Sequence, residues 1–150
     1  MIDLKATVEA IIALIPLVNT TEGITVVYGS KNEQNLIECT ATNVAFVLPF
    51  YKVSGIPTES GTEEIKLIVS IFFGRRVDLS ELTEEQEPII QLMREVSQNF
   101  RTAAKQNNII YKCGAWTDNL IYNDDGKDEN YSGILLEQEI TILDNSSPCI

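Results

Sequence analysis

EIKLIVSIFFG, residues 64–74, decides the fold. Ile65, Leu67, Val69, Ile71 and Phe73 recur with a period of two, the spacing that puts side chains on one face of a strand. Ile68 and Phe72 make the opposite face partly apolar, so this strand is expected to lie centrally, covered on both sides, with Gly74 ending it. A charged turn follows, RRVDLSELTEEQ (75–86), then PIIQLMREVSQNF (88–100). In that last segment Ile89, Leu92, Met93, Val96 and Phe100 make the apolar stripe of an amphipathic helix. A strand feeding a long helix that folds back on it is a two-layer unit. The helix start has two readings. Thr83-Glu84-Glu85-Gln86 fits a capping box, whereas Pro88 fits a first turn, where its missing N–H costs nothing. Glu84, Glu85 and Glu87 suit the positive end of the helix dipole in either case, and the helix fades at Gln106-Asn107-Asn108.

Working outward, Leu4, Val8, Ile11, Ile12 and Ile15 fall on one helix face, with Asp3 as cap, Pro16 as stop, and Lys5, Thr7 and Glu9 off the stripe. So short a helix is stable only when docked, on a sheet or on a neighbouring subunit. Ile24 to Tyr28 reads as a strand, Gly29 to Asn35 as a hairpin loop and Leu36 to Thr40 as the partner strand. Val44 to Phe50 is a third strand that ends, or meets a sheet edge, near Pro49. Tyr51 to Glu63, with two glycines and a proline, reads as a long connection of the kind that is mobile or functional. Ile109 to Cys113 and Thr117 to Tyr122 are two short strands around Gly114-Ala115-Trp116, and Asn123 to Asn130 is an exposed acidic loop. In the last strand Ile134, Leu136, Ile140 and Ile142 alternate with Leu135, Glu137, Glu139 and Thr141, a buried face broken once at Gln138. Residues 144–150 are expected to fray. The chain, 1–150, reads as one α+β domain: a mixed, mainly antiparallel β-sheet packed by an N-terminal helix and one long central helix.

Composition narrows the functions more than any motif does. The 150 residues, 44% hydrophobic and 22% charged, suit a globular domain able to bury roughly two thirds of its unfolded surface. A net charge of −11 repels nucleic acid at long range, which argues against a gripping role; it suits a passage through which DNA slides and equally the far commoner case of an ordinary acidic soluble protein. With no histidine, His-based triads and the commonest metal ligand are excluded. Cys39, Cys113 and Cys149 are odd in number and never in a C-x-x-C pair, so neither a disulfide framework nor a zinc site is expected, and reduced thiols fit a cytosolic setting. The opening MIDLKATVEAIIALIP carries Asp3 and Glu9 and is not expected to be a signal peptide. No run of 18 apolar residues offers a membrane span.

The remaining candidates are few. NDDGKDEN (123–130) invites a calcium reading, but with Gly126 at loop position six, positions one and twelve become Ile121 and Ser132, which supply no carboxylate. Arg75 and Arg76 follow the central strand and face acidic residues from Asp78 to Glu87, which fits ion pairing within the chain or across a subunit boundary better than phosphate binding. Trp116, the only tryptophan, is either a core or sheet-edge anchor or an interface residue. Nothing desolvates Asp124 or Asp125, and no phosphate, dinucleotide or serine-elbow motif occurs. No cofactor, metal or catalytic residue is expected.

The order of segments is a short capped helix, a hairpin, a strand ending in Val47-Leu48-Pro49, a long apolar strand, a long helix, a Trp-bearing segment and an alternating last strand. This resembles the small tail-terminator and tail-completion (head–tail joining) proteins of long-tailed bacteriophages. The resemblance runs from about Leu4 to Leu143 and is most recognisable in Val44–Pro49, Ile65–Arg101 and Tyr131–Leu143. It implies a structural virion protein, made in the bacterial cytoplasm, that forms a homo-oligomeric ring, commonly a hexamer, at the head-proximal end of the tail tube. There such proteins halt tube growth and join tail to head. The partners implied are copies of itself, the tail tube protein and a neck or connector protein, with DNA passing through unbound and no membrane. Tyr51, Lys52, Arg75, Arg76 and Trp116 are the residues expected at oligomer or partner contacts. The long acidic segment before the last strand and the absence of histidine depart from the family pattern and bear on the partner surfaces. A neighbouring neck or stopper component, a small non-viral adaptor, and an enzyme using carboxylates such as Asp118, or Cys113, are the competing readings.

Overall fold

A computed structural model describes residues 4–15, 23–29, 43–48, 53–57, 63–77, 83–108, 110–124 and 131–144. The elements in chain order are α1 (Leu4–Ile12), β1 (Thr25–Tyr28), β2 (Asn43–Leu48), β3 (Val53–Pro57), β4 (Glu63–Arg76), α2 (Thr83–Ala104), β5 (Ile110–Asp124) and β6 (Tyr131–Asp144). The strands form one mixed sheet in the order β1-β2-β4-β6-β5, with β3 also paired to β4. Among the described strands only β1 and β2 run parallel, and the other pairs are antiparallel. With the helices packed on the sheet, this is the α+β class that the sequence implies.

β4 is the centre, as its two-sided apolar pattern requires. Leu67, Val69, Ile71 and Phe73 are buried in the main core with β6 residues Ile134, Leu136, Ile140 and Ile142 and with both helices. The opposite face carries a smaller core in which Phe72 packs with Val27, Val44, Phe46 and Tyr131. Tyr131 meets the Phe46 ring edge-on at 5.3 Å between centroids, a favoured aromatic geometry. The strand does not stop at Gly74. Gly74 faces Gly133 of β6 and the ladder continues through Arg75 and Arg76. A glycine is needed at 133 because a Cβ there would lie 1.9 Å from the Phe73 carbonyl oxygen, so the two backbones approach where no side chain fits.

One edge of β4 is shared by two strands, which corrects the reading of residues 51–63 as a connection. β2 pairs with Ser70 to Arg75, and β3 takes the stretch from Glu63 to Leu67. Leu48 faces Ser70 and Val53 faces Leu67, so the β2–β3 segment holds two more residues than the β4 stretch it spans. Pro49 lies in that interruption, and a proline cannot donate to the ladder. Unpaired backbone along β4 provides partners that override the loop-like composition of VSGIP. β1 pairs with β2, and Gly29 extends the contact by donating its N–H to the Val47 carbonyl at 3.1 Å, with φ at 142°, a value L side chains rarely adopt. The hairpin partner expected at 36–40 lies outside the described residues, as do residues 145–150 of the expected frayed tail; Asp144 closes β6.

α1 buries Val8, Ile11 and Ile12 against the sheet-side core, and Ile15, three residues past its end, joins them. Burial of such side chains contributes about 1.5–3 kcal/mol each, enough to hold a helix too short to persist alone. Thr7, expected off the stripe, is buried, because it lies one turn before the buried Ile11 on the same helix face. α2 begins at Thr83, so Pro88 sits inside the helix rather than at its start. Its buried row runs Gln86, Ile90, Met93, Ser97, Phe100 and Ala104, with Ile89 and Leu92 half-buried beside it. Of the expected stripe, Met93, Val96 and Phe100 are buried and Ile89 and Leu92 half-buried, while Ile90 and two polar residues join the buried face. Gln86 finds a partner there, accepting a hydrogen bond from the Ser132 hydroxyl of β6.

Candidate interaction surface

β5 ends the sheet order, and among the described residues nothing pairs with its outer side. Along Tyr111 to Leu120 every residue is exposed except Cys113 and Asp118, which are half-buried. Tyr111, Trp116 and Leu120 are 51%, 49% and 57% exposed, large apolar side chains gathered on one edge strand. The sequence reading of two short strands around Gly114-Ala115-Trp116 is corrected: the strand is continuous, with irregularities between Ile110 and Lys112, Cys113 and Trp116, and Ile121 and Asp124. At each of these, β5 uses one more residue than β6, which is the signature of a β-bulge. Bulges blunt an edge against strand addition, so the surface is one of side chains rather than of backbone.

Register places Cys113, Trp116, Asp118 and Leu120 on the helix side of the sheet, opposite Ile140, Gln138, Leu136 and Ile134. The last turns of α2 reach over them. Arg101 Nη1 donates to both Asp118 carboxylate oxygens, at 3.0 and 3.2 Å, and to the Ser97 hydroxyl oxygen at 3.0 Å. Ser97 Oγ in turn donates to Asp118 Oδ1 at 2.8 Å. The Arg101 and Asp118 side chains are only 12% and 10% exposed, so the pair is desolvated and hydrogen-bonded from both sides. The same guanidinium lies 3.5 Å from the centroid of the Trp116 ring, a stacking contact that fixes the indole on its inner face. Ser97, Arg101 and Asp118 thus form a clasp that holds the half-exposed Trp116 in one orientation at the sheet edge. Lys112 lies 5.1 Å from the centroid of the Tyr111 ring.

The neighbouring Cys113 is not poised for nucleophilic work. Burial pushes its thiol up from the ordinary value, only partly opposed by the nearby Lys105 charge, and the thiolate is the reactive form. Asp118 is occupied by Arg101 and Ser97. Among the described residues no group of three or more His, Cys, Asp or Glu side chains could hold a metal ion, and no helix is long and apolar enough to cross a membrane.

Of the residues expected at contacts, Trp116 lies on this surface. Arg75 and Arg76 do not form one patch: strand alternation sends Arg75 to the helix side, opposite Asn43 and Ser132, and Arg76 to the other face, opposite Tyr131. Tyr51 and Lys52 lie outside the described residues, as do residues 125–130 of the acidic loop, Cys39 and Cys149. The sequence reading missed Ser97 and Arg101. The available signal was an i, i+4 polar pair beside the helix stripe, a spacing that places two side chains on one face. No protein-family model matches the chain, and no curated protein matches it at a significant level.

Proposed function

We propose that the chain is a structural assembly protein, a subunit of a homo-oligomeric ring at the head-proximal end of the tail tube of a long-tailed bacteriophage. In that role it ends tube growth, joins the tail to the head through a neck protein, and lets DNA pass without binding it. The observation that carries the reading is the bulged, exposed edge strand β5, on which the Ser97–Arg101–Asp118 clasp holds Trp116 half-exposed. A rigid aromatic on a preorganised cationic support is the kind of anchor that protein interfaces are built around. The order of elements, with a central β4, a long α2 and the alternating β6, is the layout on which the resemblance to tail terminators rests. A net charge of −11 suits a conduit wall that repels phosphate. Against the enzyme reading stand the engaged Asp118 and the raised Cys113 thiol.

Deleting the reading frame from its phage tests the proposal. Lysates should then contain tails of unregulated length and filled heads without tails, both corrected by supplying the protein in trans. Tails of normal length joined to heads would exclude the role.

A further inference from the structure

The helix side of the β5 edge carries a local charge opposite in sign to that of the whole chain. Arg94, Arg101 and Lys105 follow one another at intervals of seven and four residues, so they share one flank of α2 and its last turn. Arg101 fixes where that flank faces, since its guanidinium grips Asp118 of β5 and stacks on Trp116. Lys105 acts on the Cys113 thiol, further along the same strand face. These two contacts set α2 and β5 antiparallel, which puts Arg94 at the Leu120 end. Arg94 and Lys105 are exposed, and among the described residues neither has a carboxylate partner. The neighbouring described carboxylates are turned elsewhere. Asp118 is held by Arg101, and Glu137 and Glu139 of β6 lie on the opposite face of the sheet. Glu95 lies about 100° round the helix from Arg94. Glu87, exposed two turns before Arg94, bounds the positive run. Beside that run stand Trp116 and Leu120, the exposed apolar pair of this face.

We propose that the trough between this flank of α2 and the β5 edge docks an acidic amphipathic helix of another protein. The inference rests on the assembly reading above and deepens it, naming the chemistry of the segment that the β5 surface takes. Charge selects the sign of the occupant. Arg94 and Lys105 stand about 16 Å apart along the helix, and carboxylates placed over them meet cations with no competing partner. The apolar pair selects its form. Four residues of strand set Trp116 and Leu120 about 13 Å apart, which helix positions i and i+8 match at about 12 Å. The bulges of β5 blunt strand addition, so the occupant brings side chains rather than an edge. Helices pack about 8–10 Å apart, so one lying beside α2 rests on Trp116 and Leu120 and carries the helical layer across the last strand. Neither helix of this chain offers such a row, because the apolar faces of α1 and α2 are buried in its own core. Leu120 gives a nucleobase nothing to stack on, which disfavours a single-stranded nucleic acid.

The test uses two stapled helical peptides of about 18 residues, about 27 Å long, free of tryptophan, with leucines at i, i+4 and i+8. One carries glutamates along both sides of that row, the other lysines. Binding to the full chain is followed by anisotropy of the labelled peptide and by the emission of Trp116, the only tryptophan. Physiological ionic strength screens the field of the whole chain beyond about 8 Å. The acidic peptide should bind at least about tenfold more tightly than the basic one, against the sign expected from a net charge of −11, and should move the Trp116 emission to the blue. Arg94→Glu with Lys105→Glu should reverse the preference by about tenfold or more, as two exposed pairs turn from attraction to repulsion. Trp116→Ala should abolish binding, with circular dichroism and the urea midpoint reporting that each variant is folded. Preference for the basic peptide, no binding of either, or acidic binding that survives Trp116→Ala overturns the proposal. So does a thymidine oligonucleotide that shifts the emission at lower concentration than the acidic peptide, which would make the indole a base platform. Self-association of the chain that Trp116→Ala abolishes would make a second copy the occupant and overturn it as well. The deletion phenotype above decides separately whether the chain terminates tails.

Discussion

Removing the charge of Arg101 should unfasten the edge of the sheet, and the cost follows from its contacts. In Arg101→Met the Asp118 carboxylate, only 10% exposed, loses its cation and two of its hydrogen bonds, keeping the one from Ser97. Hydrogen bonds to charged groups contribute about 1.5–3 kcal/mol, and stranding a buried charge costs about 3–5 kcal/mol. Residual solvent access lowers the second figure, so a net loss of about 2–4 kcal/mol is expected. Asp118→Asn keeps the shape and removes the charge, and should cost less. In a double-mutant cycle of Arg101→Met with Asp118→Asn, measured by urea unfolding, the coupling should reach about 1–3 kcal/mol. Trp116 provides a second readout, because it is the only tryptophan and the guanidinium lies 3.5 Å from its ring centroid. Its emission should move to the red in Arg101→Met as water takes the place of the guanidinium. A coupling below about 0.5 kcal/mol, the scatter expected of independent sites, together with unchanged emission, would refute the clasp.

Three further measurements probe the packing. Gly133→Ala forces a Cβ to within 1.9 Å of the Phe73 carbonyl and should destabilise by about 3 kcal/mol or more; a urea midpoint near that of the wild type would mean the strands do not approach as described. Gln138→Leu should stabilise by about 1–2 kcal/mol, since its Oε1 is buried without a hydrogen-bond partner in an otherwise aliphatic row; a lower melting temperature would show that the amide is satisfied. Burial raises the Cys113 thiol above its ordinary value, so site-resolved alkylation at neutral pH should be slower at Cys113 than at a free thiol, and slower again in Lys105→Ala. The sign for stability follows: the folded state holds the thiol proton more tightly, so the contribution is complete below the unfolded pKa and lost as pH rises through the folded one. The wild type should therefore lose stability on the alkaline side more steeply than Cys113→Ser, and parallel profiles would contradict the burial.

Period was legible in this sequence, and long-range pairing was not. The alternation of Ile65 to Phe73 and of Ile134 to Ile142 announced two strands that do lie side by side, Phe73 facing Ile134 and Leu67 facing Ile140. β3 was illegible because Gly55 and Pro57 weaken any local preference, and its place is set by the length of β4 edge that β2 leaves unpaired. Gly114-Ala115 did mark an irregularity, but neighbouring β6 carries the strand across it as a bulge rather than a break. The expected stripe holds Met93, Val96 and Phe100 inside the fold but misses Ile90 and two polar members, Gln86 and Ser97, which are completed there by Ser132 and Asp118. A buried polar side chain looks like a surface residue until its partner is known, and each of these partners is more than 20 residues away.

The same logic shows why the candidate surface is readable only in three dimensions. Trp116 in isolation fits a core anchor as well as a contact residue, and the outcome depends on what lies on each side of its ring. One side is filled by Arg101, which Asp118 and Ser97 hold in turn; the other side gives the residue its 49% exposure. An indole free to move would lose rotamer entropy on docking, and a fixed one has lost it already on folding. The clasp therefore has a consequence for binding apart from stability. If Arg101→Met weakens assembly beyond what any global unfolding explains, while circular dichroism and the urea midpoint leave the folded fraction near unity, the guanidinium acts by holding Trp116 in place. If Arg101→Met assembles as tightly as the wild type while Trp116→Ala does not, the ring alone matters and its orientation is irrelevant.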